Sequence, residues 1–199
     1  MGVLIGPNTL YYVIVRPKGK LRGDFDFSDE KVRKPALLRP EMGERGTGDM
    51  ATTVIAITNQ KGGVGKTTTA AALLTGLHRR GAAVLGVDMD PQGSLGFSLG
   101  LDIEHCTTIY DVFRGQAEPE QAIVRTDTCD ILPSNILLSG AELEFNRPGR
   151  EFLLKTALSK VEDQYDYIII DTPPALSLLP VNAYVATDRL IIPMSPEIL

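Results

Sequence analysis

Residues 61–68 combine glycine, lysine and threonine in an order that suits phosphate binding. The segment is Lys61-Gly62-Gly63-Val64-Gly65-Lys66-Thr67-Thr68. Its glycines allow a tight turn whose N–H groups point inward, Lys66 places a cation beside the β- and γ-phosphates, and the Thr67 hydroxyl can ligate Mg²⁺. The segment therefore predicts a nucleoside triphosphate site. The alternative is a glycine-rich turn that binds nothing, but packing gives no reason for these lysines and threonines.

The loop departs from the general phosphate-loop pattern at one position. That pattern places glycine five residues before Gly65, where this chain has Gln60. A second lysine, Lys61, opens the loop instead. The resulting K-G-G-x-G-K-T pattern is more specific than the general one.

Acidic residues follow two predicted strands farther along the chain. Asp88 and Asp90 belong to a segment that continues through Pro91-Gln92-Gly93, and Asp171 precedes Thr172-Pro173-Pro174. Ligands of open α/β sheets bind beyond the carboxyl ends of the strands, so these carboxylates should meet the glycine-rich loop there. Each could instead cap a helix N-terminus. Because Mg²⁺ prefers oxygen ligands and keeps several waters, the candidate metal-site residues are Thr67, Asp88, Asp90 and Asp171.

Apolar strand patterns and helical patterns alternate after residue 50. The predicted strands are 53–58, 84–88, 130–133, 165–171 and 189–193, and the predicted helices are 67–80 and 148–162. Continuous apolar strands joined by helices indicate a mostly parallel sheet with helices on both faces. The predicted fold class is therefore α/β, of the kind found in P-loop NTPases.

Composition favours one globular domain with an extension. The chain has 199 residues, of which 43% are hydrophobic and 23% charged. No apolar run approaches the roughly 18 residues that a membrane helix needs, and no secretion signal is evident. The two cysteines and two histidines lack disulfide or metal-site spacing. A cytoplasmic location is expected.

Residues 1–49 differ from the rest of the chain. They carry nine Lys/Arg and seven Asp/Glu, a balance of +2. Residues 50–199 carry eleven Lys/Arg and eighteen Asp/Glu, a balance of −7, which gives the net charge of −5. Residues 1–49 contain scattered Gly and Pro and one strand-like run, 10–15. We expect a poorly structured extension, or a mis-set start with Met50 as the true first residue; the second interpretation is favoured. The charge pattern predicts no nucleic-acid footprint in the main body.

Three motifs together resemble one family. The segments KGGVGKTTT, VDMDPQG and IIIDTPP resemble the ParA/Soj partitioning ATPases, within the MinD/ParA-type deviant Walker A group. The resemblance covers about residues 52–198. It implies ATP and Mg²⁺ as cofactors, the hydrolysis of ATP to ADP and phosphate, and an ATPase domain over residues 50–199.

The resemblance also implies roles for individual residues. Lys61 would reach across an ATP-sandwiched homodimer to the partner's phosphates, where its charge would stabilise the transition state together with Lys66. Asp90 would orient the attacking water, and Asp88 and Asp171 would hold Mg²⁺ through water. The implied phosphate cradle comprises Lys61, Gly62, Gly63, Val64, Gly65, Lys66, Thr67 and Thr68.

The expected partners also come from the resemblance. They are a second copy of the chain, a ParB-like protein that stimulates hydrolysis, and non-specific DNA bound at the nucleoid, with no membrane association. A MinD-like or other positioning ATPase is the alternative, although Pro91-Gln92 favours ParA/Soj; an inactive fragment is another.

Family members continue past the last predicted strand, into adenine contacts and a basic DNA-binding patch. The resemblance therefore implies that the C-terminal part of the domain is missing. An apolar sheet edge at 189–193 should then be left uncovered.

Overall fold

A mixed β-sheet runs through the molecule, and the candidate site lies at the carboxyl ends of its central strands. The computed structural model describes residues 2–6, 9–15 and 51–194. Within them, the strand order is β1-β2-β8-β3-β7-β4-β6-β5. The strands are β1 (Gly2–Gly6), β2 (Thr9–Val15), β3 (Thr53–Ile57), β4 (Val84–Asp88), β5 (Val124–Arg125), β6 (Asp130–Leu132), β7 (Tyr167–Asp171) and β8 (Arg189–Met194).

The central strands are parallel and the outer ones are not. β3 pairs in parallel with β7 and β8, and β4 pairs in parallel with β6 and β7. The antiparallel pairs are β1 with β2, β2 with β8, and β5 with β6. This arrangement confirms the predicted mostly parallel sheet.

Helices connect the parallel strands. They are α1 (Lys66–His78), α2 (Ser94–Ser98), α3 (Ile109–Phe113), α4 (Pro119–Ala122), α5 (Ala141–Glu144), α6 (Leu153–Leu158) and α7 (Leu178–Ala186). Short 3₁₀ helices cover Ile136–Gly140, Arg150–Phe152 and Glu162–Gln164. None of the described helices is long and apolar enough to cross a membrane.

Two apolar cores lie on opposite faces of the sheet. On one face, Leu74 and Leu77 of α1 pack with Ile55 and Ile169 of the central strands. On the other, side chains of α3, α6 and α7 pack with the alternate strand residues, such as Ala56 and Ile170. Because both faces are covered, the central strands can be apolar throughout, as the sequence predicted.

Some elements differ from their predicted bounds. The helix predicted over 148–162 is an α-helix only over Leu153–Leu158, with 3₁₀ turns before and after it. The predicted strands and α1 agree with the structure to within two residues at each end. The largest shift among the strands is that of the one predicted from residue 165, which begins at Tyr167.

The edge of β8 is paired, so the prediction of an uncovered edge at 189–193 is wrong. β2 runs antiparallel to β8 from Leu10 opposite Met194 to Val15 opposite Arg189. The strand-like run at 10–15 is therefore part of a strand. The prediction of a poorly structured extension otherwise falls on residues 16–49, which lie outside the described ranges.

Candidate functional site

The glycine-rich loop leaves the carboxyl end of β3 and leads into α1. Gly63 and Gly65 have φ values of 72° and 87°, in the left-handed region that favours glycine. Val64 is buried and anchors the loop, whereas Lys61, Gly62, Gly63 and Thr68 are exposed. Thr69 ties the first turn of α1 back to the loop, because its N–H and hydroxyl both donate to the Gly65 carbonyl. Strand, loop and helix are thus arranged as a phosphate cradle requires.

Lys66 lies folded against the loop. Its side chain is buried, and Nζ donates a 3.2 Å hydrogen bond to the Lys61 carbonyl. Burial lowers the pKa of the Lys66 ammonium, while the charges of Asp171 and Asp90 oppose that effect. The structure therefore brings Lys66 together with two of the three predicted carboxylates.

Asp88 and Asp171 end adjacent parallel strands. They are register partners of β4 and β7, and both are fully buried. Burial raises the pKa of Asp88 to about 7, and the nearby charge of Asp171 adds to the rise. The two side chains form an acidic pair at the carboxyl edge of the sheet, as predicted.

The carboxylate of Asp88 caps backbone N–H groups. Oδ1 accepts a 3.0 Å bond from the Asp90 N–H, and Oδ2 accepts from Leu95 and Gly96 at 2.9 and 3.3 Å. These bonds fix the turn that leads into α2. The contacts of Asp88 therefore match the alternative stated above, in which the carboxylate caps a helix N-terminus. Metal binding would be a second role for the same side chain.

Asp171 presents the opposite case. Within the described part of the chain, neither of its carboxylate oxygens has a hydrogen-bond partner. Burial raises the pKa of Asp171 to about 6, and the charge of Asp90 adds to the rise. The Thr67 hydroxyl, the Lys66 charge and the Thr172 N–H are close enough to lower it, although neither threonine meets the geometry of a hydrogen bond to the carboxylate. A buried carboxyl without partners costs free energy, which a bound cation would offset.

Asp90 lies close enough to Asp171 for its charge to raise the pKa of that carboxyl. Its Oδ1 accepts a 3.0 Å bond from the Gln92 N–H, and its carbonyl accepts from the buried Ser134 hydroxyl. The side chain is partly exposed. It is thus the one of the three aspartates that is open to solvent.

The residues present suit Mg²⁺ held mostly through water. Across residues 51–194, no three His, Cys, Asp or Glu side chains converge into a cluster that could hold a metal directly. The Thr67 hydroxyl and the unpartnered Asp171 carboxylate are oxygen donors of the kind that Mg²⁺ accepts. The predicted set of Thr67, Asp88, Asp90 and Asp171 therefore fits a hydrated ion better than direct coordination by all three aspartates.

Several residues near the loop were not predicted from the sequence. Thr58 and Tyr184 share a 2.7 Å hydrogen bond between their hydroxyls, and Thr172 donates a 2.8 Å bond to the Ile57 carbonyl. Asn59 bonds to both the loop and β8. An asparagine directly after a strand is a signal for a side-chain-stabilised turn, so Asn59 could have been found.

Comparison with known proteins identifies the family. A family model described as an AAA domain matches residues 52–199. Sporulation initiation inhibitor protein Soj of Bacillus subtilis is 47% identical over 150 residues, covering 72% of this chain and 58% of the relative. Chromosome partitioning protein ParA of Myxococcus xanthus is 43% identical over 159 residues, covering 78% and 56%. The chain belongs to the ParA/Soj family.

A solved structure is similar to this ParA/Soj-family chain and was obtained with ligands. It is cobyrinic acid a,c-diamide synthase from Mycobacterium smegmatis with a bound ATP analog and magnesium. Its TM-score is 0.67 at 47% identity, and the match covers 68% of this chain and 57% of that one. The comparison supports nucleotide and Mg²⁺ binding within the family.

This chain spans little more than half the length of the curated relatives that it matches. The matched share is 58% of the Soj sequence and 56% of the ParA sequence. The activity and partners of a whole ParA/Soj protein are therefore matters for proposal.

Proposed function

We propose that this chain binds Mg²⁺-ATP at the loop of residues 61–68 and belongs to an ATPase that acts in chromosome or plasmid partitioning. The observation that carries the proposal is the buried Asp171 carboxylate, which has no hydrogen-bond partner among the described residues and lies near Lys66 and Thr67. A site that gathers a cation, a hydroxyl and an unpartnered carboxylate beside a glycine-rich loop suits a metal-bound triphosphate.

Each residue has a role that follows from its place. The loop N–H groups and the Lys66 ammonium would hold the β- and γ-phosphates. Thr67 would be the direct protein ligand of Mg²⁺, and Asp88 and Asp171 would hold its water shell. When bound, the ion would neutralise charge on the phosphate oxygens. The preference for adenine over guanine rests on the family alone.

Hydrolysis needs a positioned water, and Asp90 is the proposed orienting residue. The Asp90 side chain is partly exposed, and its carboxylate lies close enough to Lys66 to raise the pKa of the Lys66 ammonium. Lys61 is exposed on the loop, as a residue acting on a partner's phosphates must be. In the intact protein, an ATP-bound homodimer would bind DNA non-specifically at the nucleoid, and a ParB-like protein would stimulate turnover.

Calorimetric titration of Mg²⁺-ATP into the 199-residue chain tests the binding proposal. Lys66→Ala removes the main phosphate cation, so we expect affinity to fall at least about a hundredfold, in line with the loss of a charge-assisted contact. Lys155→Ala is the matched control, because Lys155 is exposed on α6. Equal affinity in the wild type and Lys66→Ala would refute the site. An absence of binding in a folded wild type would favour an inactive fragment.

A second variant tests the role of Asp90. In the intact protein, Asp90→Ala should still bind ATP but accumulate as the dimer, because the water is no longer oriented. Phosphate release and light scattering measure the two effects. Asp163→Ala, at an exposed position, is the control. Turnover at the wild-type rate in Asp90→Ala would mean that Asp90 only shapes the turn.

A further inference from the structure

The β3–β8 ladder continues past the end of β3 through a side chain. The register of the pair ends at Ile57 opposite Ile191, and the Thr58 N–H still donates to the Ile191 carbonyl at 3.0 Å. The next β8 carbonyl on this side belongs to Pro193. Asn59 Nδ2 donates to it at 2.7 Å. A side-chain amide thus replaces the backbone donor that β3 no longer supplies.

Pro193 makes this replacement necessary. The residue is buried and its bond to Asn59 is partly buried, so a carbonyl left without a donor here would cost free energy. Proline has no N–H and therefore needs no acceptor from β3, which ends at Ile57. Its carbonyl still needs a donor, and Asn59 supplies it.

The same Asn59 side chain also holds the loop. Oδ1 accepts a 2.9 Å hydrogen bond from the Lys61 N–H, and the Lys61 carbonyl in turn accepts from Lys66 Nζ. The amide therefore joins the carboxyl end of β8 to the first residue of the loop. Both lysines of the proposed site are attached to this connection, Lys61 through its backbone and Lys66 through its ammonium.

We infer that Asn59 is a positioning residue that fixes the start of the loop against β8, so that the loop keeps its phosphate-binding shape only while the bond to Pro193 is made. The affinity readout rests on the proposed nucleotide site. The competing interpretation is that Asn59 merely forms a local turn with Lys61, in which case the bond to Pro193 would not matter.

Two substitutions at Asn59 separate these interpretations. Asn59→Ala loses both bonds, whereas the shorter and uncharged Asn59→Ser keeps an acceptor for the Lys61 N–H but cannot reach the Pro193 carbonyl. We expect both to raise the Kd of Mg²⁺-ATP about three- to tenfold, the range for one or two neutral hydrogen bonds. A wild-type Kd for Asn59→Ser would overturn the role of Pro193.

Asn135→Ala is the matched control. Asn135 makes the same local bond, with Oδ1 accepting the N–H two residues later at 3.1 Å. Its removal should leave the Kd within twofold of the wild type. Melting temperatures of all variants show whether any effect is loss of the fold.

Hydrogen–deuterium exchange tests the inference without nucleotide. In the wild type, the Lys61 amide should be protected, and both Asn59 variants should speed exchange over residues 61–66 while β4 and β7 stay protected. Unchanged exchange over 61–66 in both variants would overturn the inference even if Mg²⁺-ATP binds. Faster exchange in a protein that binds no nucleotide would instead count only against the proposed function. If Asn59→Ala fails to fold, Asn59→Ser decides.

Discussion

The Asp171 carboxyl is buried where its ionised form is disfavoured. Its pKa is raised from 3.8 to about 6, first by burial. Well below pH 3.8 the carboxyl is protonated in both the folded and unfolded states. As the pH rises toward 6, the unfolded state loses its proton first, so the stability contributed by the buried acid is lost. A site prepared for a cation is therefore destabilising without one near neutral pH.

Asp171→Asn should remove this pH dependence. Between pH 4 and 7 we expect the wild type to lose about 2 kcal/mol of unfolding free energy relative to the variant, because the rise in pKa is worth about 1.36 kcal/mol per unit and part of the change lies below pH 4. Urea unfolding of the nucleotide-free proteins across that range measures it. Asp163→Asn, at an exposed position, should follow the wild type. Parallel profiles for Asp171→Asn and wild type would contradict the assigned pKa.

The two ends of the glycine-rich loop should respond differently to alanine. Gly65 has a φ of 87°, so Gly65→Ala should lower the unfolding free energy by about 1 kcal/mol. Gly62 lacks a positive φ, and an added Cβ there meets nothing within 4 Å. Gly62→Ala is therefore the matched control and should change stability by less than about 0.5 kcal/mol. Equal losses in urea unfolding would argue against backbone strain as the cause.

At the scale of elements, α6 and α7 depend on one buried amide. Asn182 of α7 is fully buried. Its Oδ1 accepts from the Leu154 N–H at 3.0 Å, and Nδ2 donates to the carbonyls of Arg150 and Leu178 at 2.9 and 3.1 Å. Because α6 has no side-chain cap of its own, Asn182 supplies one from the next helix.

Asn182→Ala should be strongly destabilising. It removes the side-chain partner of the buried Leu154 N–H and of the partly buried Arg150 carbonyl, so we expect the unfolding free energy to fall by about 2–4 kcal/mol. Asn146→Ala is the control, since Asn146 is exposed and bonds only the Arg150 guanidinium among the described contacts. A loss below about 0.5 kcal/mol in chemical denaturation would show that water replaces the amide.

Sequence patterns predicted the elements that depend on local signals. β3, β4 and β7 are continuous apolar runs, and α1 begins at the loop, so each was predicted with nearly its true bounds. α7 was not predicted: it is apolar almost all round and contains Pro180, which is tolerated because it lies in the first turn. The extent of α6 was wrong because its cap comes from Asn182, far along the chain.

The site shows the same division. The loop and the three aspartates were predicted because each is a short motif at the end of a strand. The different states of the aspartates were not, because Asp88 is bonded by α2 residues and Asp171 is left without partners only once the sheet has formed. The bond between Asn59 and Pro193 joins residues 134 positions apart, so no local sequence pattern predicts it.

At the scale of the whole molecule, β2 closes the sheet beside β8. A chain that begins at Met50 would lack β1 and β2 and expose the backbone donors and acceptors of β8. We expect residues 50–199 to melt lower than the full chain and to aggregate more at equal concentration. Size-exclusion chromatography and thermal scans compare the two. Identical behaviour would mean that β2 contributes little to the stability of the sheet.

The pairing of β2 with β8 also has a consequence for biosynthesis. β2 leaves the ribosome well before β8, which is made about 180 residues later, roughly 10–40 s at ordinary rates of translation. The loop of residues 61–68 likewise emerges long before Pro193. Until β8 is made, the nascent chain can form neither the β2–β8 pair nor the bond between Asn59 and Pro193. A ribosome stalled before residue 189 would carry every residue of the glycine-rich loop and still lack the strand that holds it.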